Sequence, residues 1–446
     1  MKYLTALVAI AIVIVLYDGT GSWWHNHYDD SYITYRYAVN LAEGRGLVFN
    51  EGEKADAASS FLFTVILAGF YRVGFHDLEL MSCLLNLLAV GLIAAFVYSS
   101  ALRLSGNRIG AVVFGLTASL HGFISGWAAL GMDTVFFAAL LAMWTYWTFV
   151  DKRVTFSAVL TVLVVLMRFE GLLILPVWFA ATEIDTRRAL IVFALIAIYY
   201  TARFQYYGTF LPHSFHAKNL IAYYHSQPLN ILETWFRLAL AAPLIAFAGA
   251  LTDCRLRLLG LYILVSAAVC LYGPSSDWCR YTVHLFPLML IAGAPVLKNR
   301  FMAVIICAVL LLQGIGSVYW MRYQAENLAP CQVMRGEIGS WLQENVSKNE
   351  WIISSDIGEI AYRAKGCRFI DLNGLTSPDV LAAYRKGEGV DSIIRDKQPA
   401  YIADTFSVVN GELVYTHDLT NIMTRVMTVK QYSAISAIVV MRIERD

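Results

Sequence analysis

The chain has 446 residues, of which 58% are hydrophobic and only 15% charged, where soluble domains run at roughly 45–50% apolar and about 25% charged. With a mean hydropathy of +0.57, the surplus of apolar side chains must face lipid, which excludes an ordinary soluble enzyme. The 34 Lys and Arg against 33 Asp and Glu leave a net charge of +1, so no global basic field argues for nucleic acid.

Apolar stretches suited to crossing about 30 Å of hydrocarbon fall near 3–17, 78–101, 109–125, 133–150, 154–167, 171–182, 189–203, 234–251, 256–272, 281–296 and 301–320. Every second connector is basic: Arg103 and Arg108, Lys152 and Arg153, Arg187 and Arg188, Arg255 and Arg257, Lys298 and Arg300. With Lys2 and these five loops in the cytoplasm, the number of crossings between Lys2 and Arg103 is even. The segments 3–17 and 78–101 then cross, and 59–75 lies against the outer face as a juxtamembrane or re-entrant helix. The expectation is eleven spans. It places 18–77, 126–132, 168–170, 204–233, 273–280 and the tail 321–446 outside. No small-x-small cleavage site follows 3–17, which reads as an anchor rather than a signal peptide.

From 321 the character changes. Short β-rich runs, Trp351–Ser354 and Phe369–Leu372, alternate with amphipathic stretches 331–346 and 377–386, and Met423–Ile443 reads as a closing hairpin. The expected architecture is an α-helical polytopic membrane protein, a transmembrane module over 1–320, with a small C-terminal external α/β domain over 321–446. Cys331 and Cys367 both fall outside, where a disulfide between them is chemically allowed. Cys83, Cys270 and Cys307 lie inside apolar runs as small hydrophobes, and no C-x-x-C or His-rich spacing marks a structural zinc.

Polar residues gather on the outer face. Asp29 and Asp30 follow His25 and His27 in HNHYDDSYITYRYA, next to the bilayer surface. A carboxylate pair there suits a general base with a partner that binds a hydroxyl or a metal. It equally suits a helix N-cap, with Arg36 as ion-pair partner one or two turns along. Further along come Asp133, then Arg168 and Glu170 in RFEG, Arg203 with His213, His216 and Lys218 in RFQYYGTFLPHSFHAK, and Asp277 with Arg280 in SSDWCRYTVH. Any one of these can simply snorkel or pair. Their one-sidedness suits a reaction in which an anionic leaving group departs and a hydroxyl is deprotonated. No G-x-x-x-x-G-K-[ST] is present and no G-x-G-x-x-G lies between strand and helix, so neither nucleotide hydrolysis nor a dinucleotide site is indicated. An external site has no supply of cytoplasmic nucleotide sugars, which favours a donor carried on a membrane lipid.

This arrangement resembles the GT-C superfamily of polyprenyl-phosphate-dependent glycosyltransferases, which place a carboxylate in the first external loop. The run DDSYITYRYAVNLAEGRGLVFNEGE resembles the opening signature of bacterial arabinofuranosyltransferases of the terminal mycobacterial cell-wall type, where a paired Asp begins D-D-A-Y-I. GMDT with Asp133, RFEG in place of R-P-E-G, YYGTFLPHSFHAK in place of Y-G-x-x-L-P-N-T-x-x-A-K, SSDWCRY and DIGEIAYRAKGCRFIDLNGLTSP follow in order. Ser31 stands for the usual Ala, Phe169 for Pro, and His213-Ser214 for Asn-Thr. The compact external domain resembles more the pilin-modifying arabinosyltransferases of Gram-negative bacteria.

The resemblance implies transfer of a pentofuranose, D-arabinofuranose, from a polyprenyl-phosphate-linked sugar to a hydroxyl of a pilin protein or glycan, at the outer face of the bacterial inner membrane. Asp29 and Asp30 are the expected catalytic pair, which of them is the base staying open. Asp133, Arg168, Glu170, Arg203, His213, His216, Lys218, Asp277 and Arg280 are the expected donor-binding residues. Participation of a divalent cation is open. Two other classes compete: a transporter or flippase of lipid-linked sugar, against which the few charges at mid-span argue, and a non-catalytic glycan-binding membrane protein.

Overall fold

The computed structural model describes residues 27–183, 185–220, 228–272, 279–409, 412–414, 424–433 and 436–443. The expected first span 3–17, Lys2, His25 and Asp277 lie outside the described residues.

The helices in chain order are α1 (Asp29–Ala42), α2 (Phe61–Arg72), α3 (Leu78–Ser105), α4 (Arg108–Leu120), α5 (Gly122–Ala129), α6 (Thr134–Thr145), α7 (Val154–Met167), α8 (Ile174–Ala181), α9 (Thr186–Tyr207), α10 (His213–Leu220), α11 (Pro228–Ala239), α12 (Ala241–Thr252), α13 (Arg257–Tyr272), α14 (Leu285–Gly293) and α15 (Arg300–Asn345). Their ends follow from local chemistry. Asp77, Asp185 and Asn299 accept backbone N–H bonds at the starts of α3, α9 and α15, and Gly106 and Gly208 close α3 and α9 in the left-handed conformation.

Among the described residues, five helical stretches are long and apolar enough to cross a membrane: Leu78–Ser105, Arg108–Ala129, Thr186–Tyr207, Cys254–Leu271 and Arg300–Asn345. The pair Leu229–Ala239 and Ala241–Thr252, bent by 82°, makes a sixth if it counts as one span. The segments expected at 133–150, 154–167, 171–182 and 281–296 are helical but shorter. Helix α7, at 14 residues, rises only about 21 Å. Helix α2, with 12 residues, rises about 18 Å and is too short to cross; it packs on α1. The large apolar side chains of α9 and α15, such as Leu190, Ile198, Phe301, Val304 and Leu312, are exposed on the protein surface, as lipid contact requires.

Inside the helical layer, α3 packs on α4 and α6, α6 on α7, and α12 on α14. At Gly249 a Cβ would stand 1.9 Å from the Ala292 carbonyl oxygen, so α12 and α14 touch backbone to backbone there. Two buried indoles find hydroxyl partners: the Trp178 indole donates to Ser157 Oγ (2.7 Å) and the Trp144 indole to Thr161 Oγ1 (3.0 Å).

Helix α15 runs unbroken through residue 320 with Pro330 inside it. The last expected span and the expected amphipathic helix 331–346 are therefore one rod of 46 residues, about 69 Å long, that carries the membrane helices into the C-terminal domain. That domain holds α16 (Glu359–Arg363), α17 (Pro378–Arg385), α18 (Asp391–Lys397) and strands β1 (Trp351–Ser354), β2 (Arg368–Asp371), β3 (Tyr401–Val409), β4 (Glu412–Val414), β5 (Thr424–Ser433) and β6 (Ser436–Ile443). The sheet order is β2-β1-β3-β6-β5, with β4 beside β3. Pairing is parallel across β2, β1 and β3 and antiparallel across β3, β6 and β5. The expected closing hairpin is β5–β6. Cys331 and Cys367 are not joined by a disulfide. The Cys367 carbonyl instead accepts from Arg36 Nη2 at 2.7 Å.

Candidate active site

A cleft enclosing about 920 Å³ of empty space, part of it open to solvent, lies where one end of the helical layer meets the C-terminal domain. Helix α1 presents Asp30 and Ile33 to it, the turn after α7 presents Arg168 and Glu170, α10 presents Lys218, and the turn before α14 presents Arg280 and Tyr281. Sequence distances of up to 250 residues collapse onto one carboxylate: Arg280 Nη1 donates to Asp30 Oδ2 at 2.6 Å, and Lys218 Nζ lies 3.7 Å from the same oxygen. Burial works to raise the Asp30 carboxyl. The Lys218 ammonium and Arg280 guanidinium outweigh it and hold the group at about 2.

Tyr281 ties the cations together. Its hydroxyl accepts from Lys218 Nζ at 3.1 Å, and the Arg280, Arg168 and Lys218 cations stand 5.3, 5.6 and 5.7 Å from its ring centre. Sequence reading missed Tyr281, whose only signal is its place beside Arg280 among 25 tyrosines.

The other expected residues take supporting places. Asp133 stands behind Arg168 rather than in the cleft: Arg168 Nε meets Asp133 Oδ2 at 2.9 Å, both side chains almost sealed from solvent. Arg203 does not enter the cleft; it pairs with buried Asp56. His213 braces that same loop, its N–H donating to the Asp56 carbonyl at 2.8 Å while its Nδ1 accepts from the Asp56 N–H at 3.0 Å. Burial pushes the His213 imidazole down to about 4, which keeps Nδ1 an acceptor at neutral pH. His216 packs its ring near Phe215 (5.9 Å), half-buried and outside the cleft lining. Arg203, His213 and His216 are thus absent from the cleft lining, and the first two direct polar atoms at Asp56.

Asp29 and Asp30 both stand in the first turn of α1, but neither side chain caps it. Asp29 turns from the cleft toward the C-terminal domain, where Glu359 N–H (2.9 Å) and Gly358 N–H (3.1 Å) donate to its two oxygens. Arg36 pairs with neither; it donates to the carbonyls of Phe49 (3.0 Å), Cys367 and Ala361. Among the described residues no group of three or more His, Cys, Asp or Glu converges in metal-ligand fashion.

Known proteins extend this picture. Residues 320–444 match a domain family of unknown function, DUF8728. No curated protein matches the sequence. Among solved structures, the crystal structure of ArnT from Cupriavidus metallidurans bound to undecaprenyl phosphate aligns at a TM-score of 0.63 and 12% identity over 98% of each chain. Its apo form aligns at 0.59 and 13% identity, again over 98% of each. The chain has an ArnT-like fold. The expected fold class thus stands: a multi-span helical membrane protein closed by a small mixed sheet.

Proposed function

We propose that the protein transfers a pentofuranose, D-arabinofuranose, from a polyprenyl phosphate to a hydroxyl of a pilin-like protein or a surface glycan. The cleft and the domain 321–446 face the outside of a bacterial inner membrane, and residues 1–320 form the transmembrane module. The observation that carries this reading is two carboxylates and three cations, Asp30 and Glu170 with Arg168, Lys218 and Arg280, lining one cleft, with Asp30 the carboxylate that Lys218 and Arg280 hold. The fold match to an ArnT solved with undecaprenyl phosphate supports a lipid-phosphate donor, and the DDSYITYRY run supplies the pentofuranose.

The chemistry follows from the pairing. Without donor, Asp30 is the anion that Arg280 and Lys218 hold. An arriving phosphodiester offers those cations a second anion, and charge-assisted bonds to it draw them from the carboxylate. Asp30, relieved of its partners and beside a new negative charge, becomes a stronger base. It accepts the proton of the acceptor hydroxyl as that oxygen bonds to the anomeric carbon. The bond from that carbon to the phosphate oxygen breaks, and the polyprenyl phosphate leaves on Arg168, Lys218 and Arg280, held in orientation by Asp133 and Tyr281. A single displacement inverts the anomeric centre.

The test is transfer by purified full-length protein from synthetic polyprenyl-phosphoryl arabinofuranose to pilin and glycan acceptors, with Asp30→Asn as control. Product formed by the wild type and lost in the variant supports the reading. Donor moved across vesicles with no product formed replaces it with a flippase.

A further inference from the structure

The adjacent carboxylates of α1 serve two different walls. Asp29 accepts two backbone N–H bonds from Gly358 and Glu359, at the loop between β1 and α16. Arg335, on α15, reaches Asp29 Oδ1 at 3.7 Å and bonds Asp356 at 2.6 Å, so the same loop is clamped from the rod. The fit is close: a Cβ on Gly358 would stand 2.1 Å from the Asp29 carbonyl oxygen and 2.4 Å from its Cγ. Only glycine lets the domain seat on α1.

A second loop of that domain reaches the cleft itself. The Asp371 carboxylate, at the end of β2, accepts from the N–H groups of Thr376 (2.7 Å) and Asn373 (2.8 Å) and from the Thr376 hydroxyl. The Asp371 N–H donates to Ser377 Oγ at 2.9 Å. This closed loop holds Leu375, which lines the cleft and joins the apolar cluster containing Ile33, Ala57 and Ala217. Ile33 is one helical turn beyond Asp30. Arg168 follows α7 and Arg280 precedes α14, both in the helical layer, while Lys218 stands on the short helix α10; on the transferase reading the lipid-linked donor occupies that side. The wall made by Leu375 comes from the polar external domain, where a water-borne hydroxyl arrives.

We propose that the C-terminal domain forms the acceptor side of the cleft, with Asp29 the positioning residue that docks it and Leu375 a specificity-determining residue for the acceptor. This rests on the transferase reading above.

The experiment uses full-length protein, undecaprenyl phosphate binding followed by tryptophan fluorescence, and transfer to two acceptors of different bulk, methyl arabinofuranoside and a serine hexapeptide. Leu375→Ala raises the hexapeptide-to-glycoside ratio of kcat/KM at least fivefold and Leu375→Trp lowers it as much, with undecaprenyl phosphate affinity within twofold of wild type. Gly358→Ala and Asp29→Asn each lower kcat at least tenfold, and Asp29→Asn keeps the wild-type shape of the pH–rate profile. Wild-type transfer with a selectivity ratio indifferent to both Leu375 variants overturns the inference alone. So does an Asp29→Asn profile that has lost its acid limb, since Asp29 would then be the base. Wild-type protein that transfers to neither acceptor removes the transferase reading and this inference with it.

Discussion

The cleft around Asp30 and the seam around Asp29 are built from consecutive residues, yet they hold their carboxylates in opposite ways. In the cleft, Lys218 and Arg280 overcome burial and keep Asp30 ionised, at about 2. In the seam, burial wins: the Asp29 carboxyl is held above its usual range despite Arg335, with Asp356 adding to the rise. Its neighbour Glu359 is pushed up to about 7 by burial, against the pull of Arg363 and with the push of Asp29 and Glu79. A paired Asp motif is therefore two devices. One faces an open cleft with cations to share, and the other joins two parts of the chain through backbone N–H groups.

The largest effect that breaks this contrast is expected at Asp30. Asp30→Asn should lower transfer by about 10²–10⁴, the range for removing a general base, while leaving the melting temperature of the C-terminal domain in place. Arg280→Met should follow at about 10²–10³, the cost of losing one donor to developing charge, and a direct binding measurement should show weaker undecaprenyl phosphate. In the seam, Arg335→Met deprives the Asp29 and Asp356 carboxylates of their guanidinium. It should cost about 1.5–3 kcal/mol of stability, read by thermal unfolding.

The smallest effects are in pH, and the two regions have opposite signs. Folding depresses Asp30, from a reference of 3.8 to about 2. Its contribution to stability is present above pH 3.8 and is lost as pH falls toward 2. Glu359 is raised from 4.5 to about 7, so the folded state binds the extra proton, and stability from this group falls as pH rises through that window. Hydrogen exchange at Gly358 and Glu359 should be faster at pH 8 than at pH 5 after correction for intrinsic rates. Equal protection at both would contradict the assignment.

How much of this was legible in the sequence follows from which contacts are local. Apolar runs and basic loops locate the helices, because lipid selects composition directly. They do not tell a long helix from a short one, so α7 and α14 read like the full-length α3. The tail's strands and hairpin follow from β-branched runs, but the fusion of 301–320 with 331–346 does not, since Pro330 reads as a stop and is tolerated inside α15. Of the cleft lining, Asp30, Arg168, Glu170, Lys218 and Arg280 were visible as charged residues at the ends of apolar segments. Arg203 and His213 looked identical by that criterion, and only three-dimensional placement shows them serving Asp56. Gly358 and Leu375 fall inside the run DIGEIAYRAKGCRFIDLNGLTSP that carries the resemblance, but nothing local in it, or at Arg335, ties them to Asp29 and Asp30, about 300 residues or more away.

The most direct measurement of the central claim is the affinity of undecaprenyl phosphate for the full-length wild type and for Asp30→Asn at neutral pH. If Asp30 occupies the cations that the donor phosphate claims, removing its charge takes away a competitor, so the variant should bind undecaprenyl phosphate more tightly while failing to transfer sugar. Weaker binding by Asp30→Asn, or binding unchanged by both Asp30→Asn and Arg280→Met, would contradict the account.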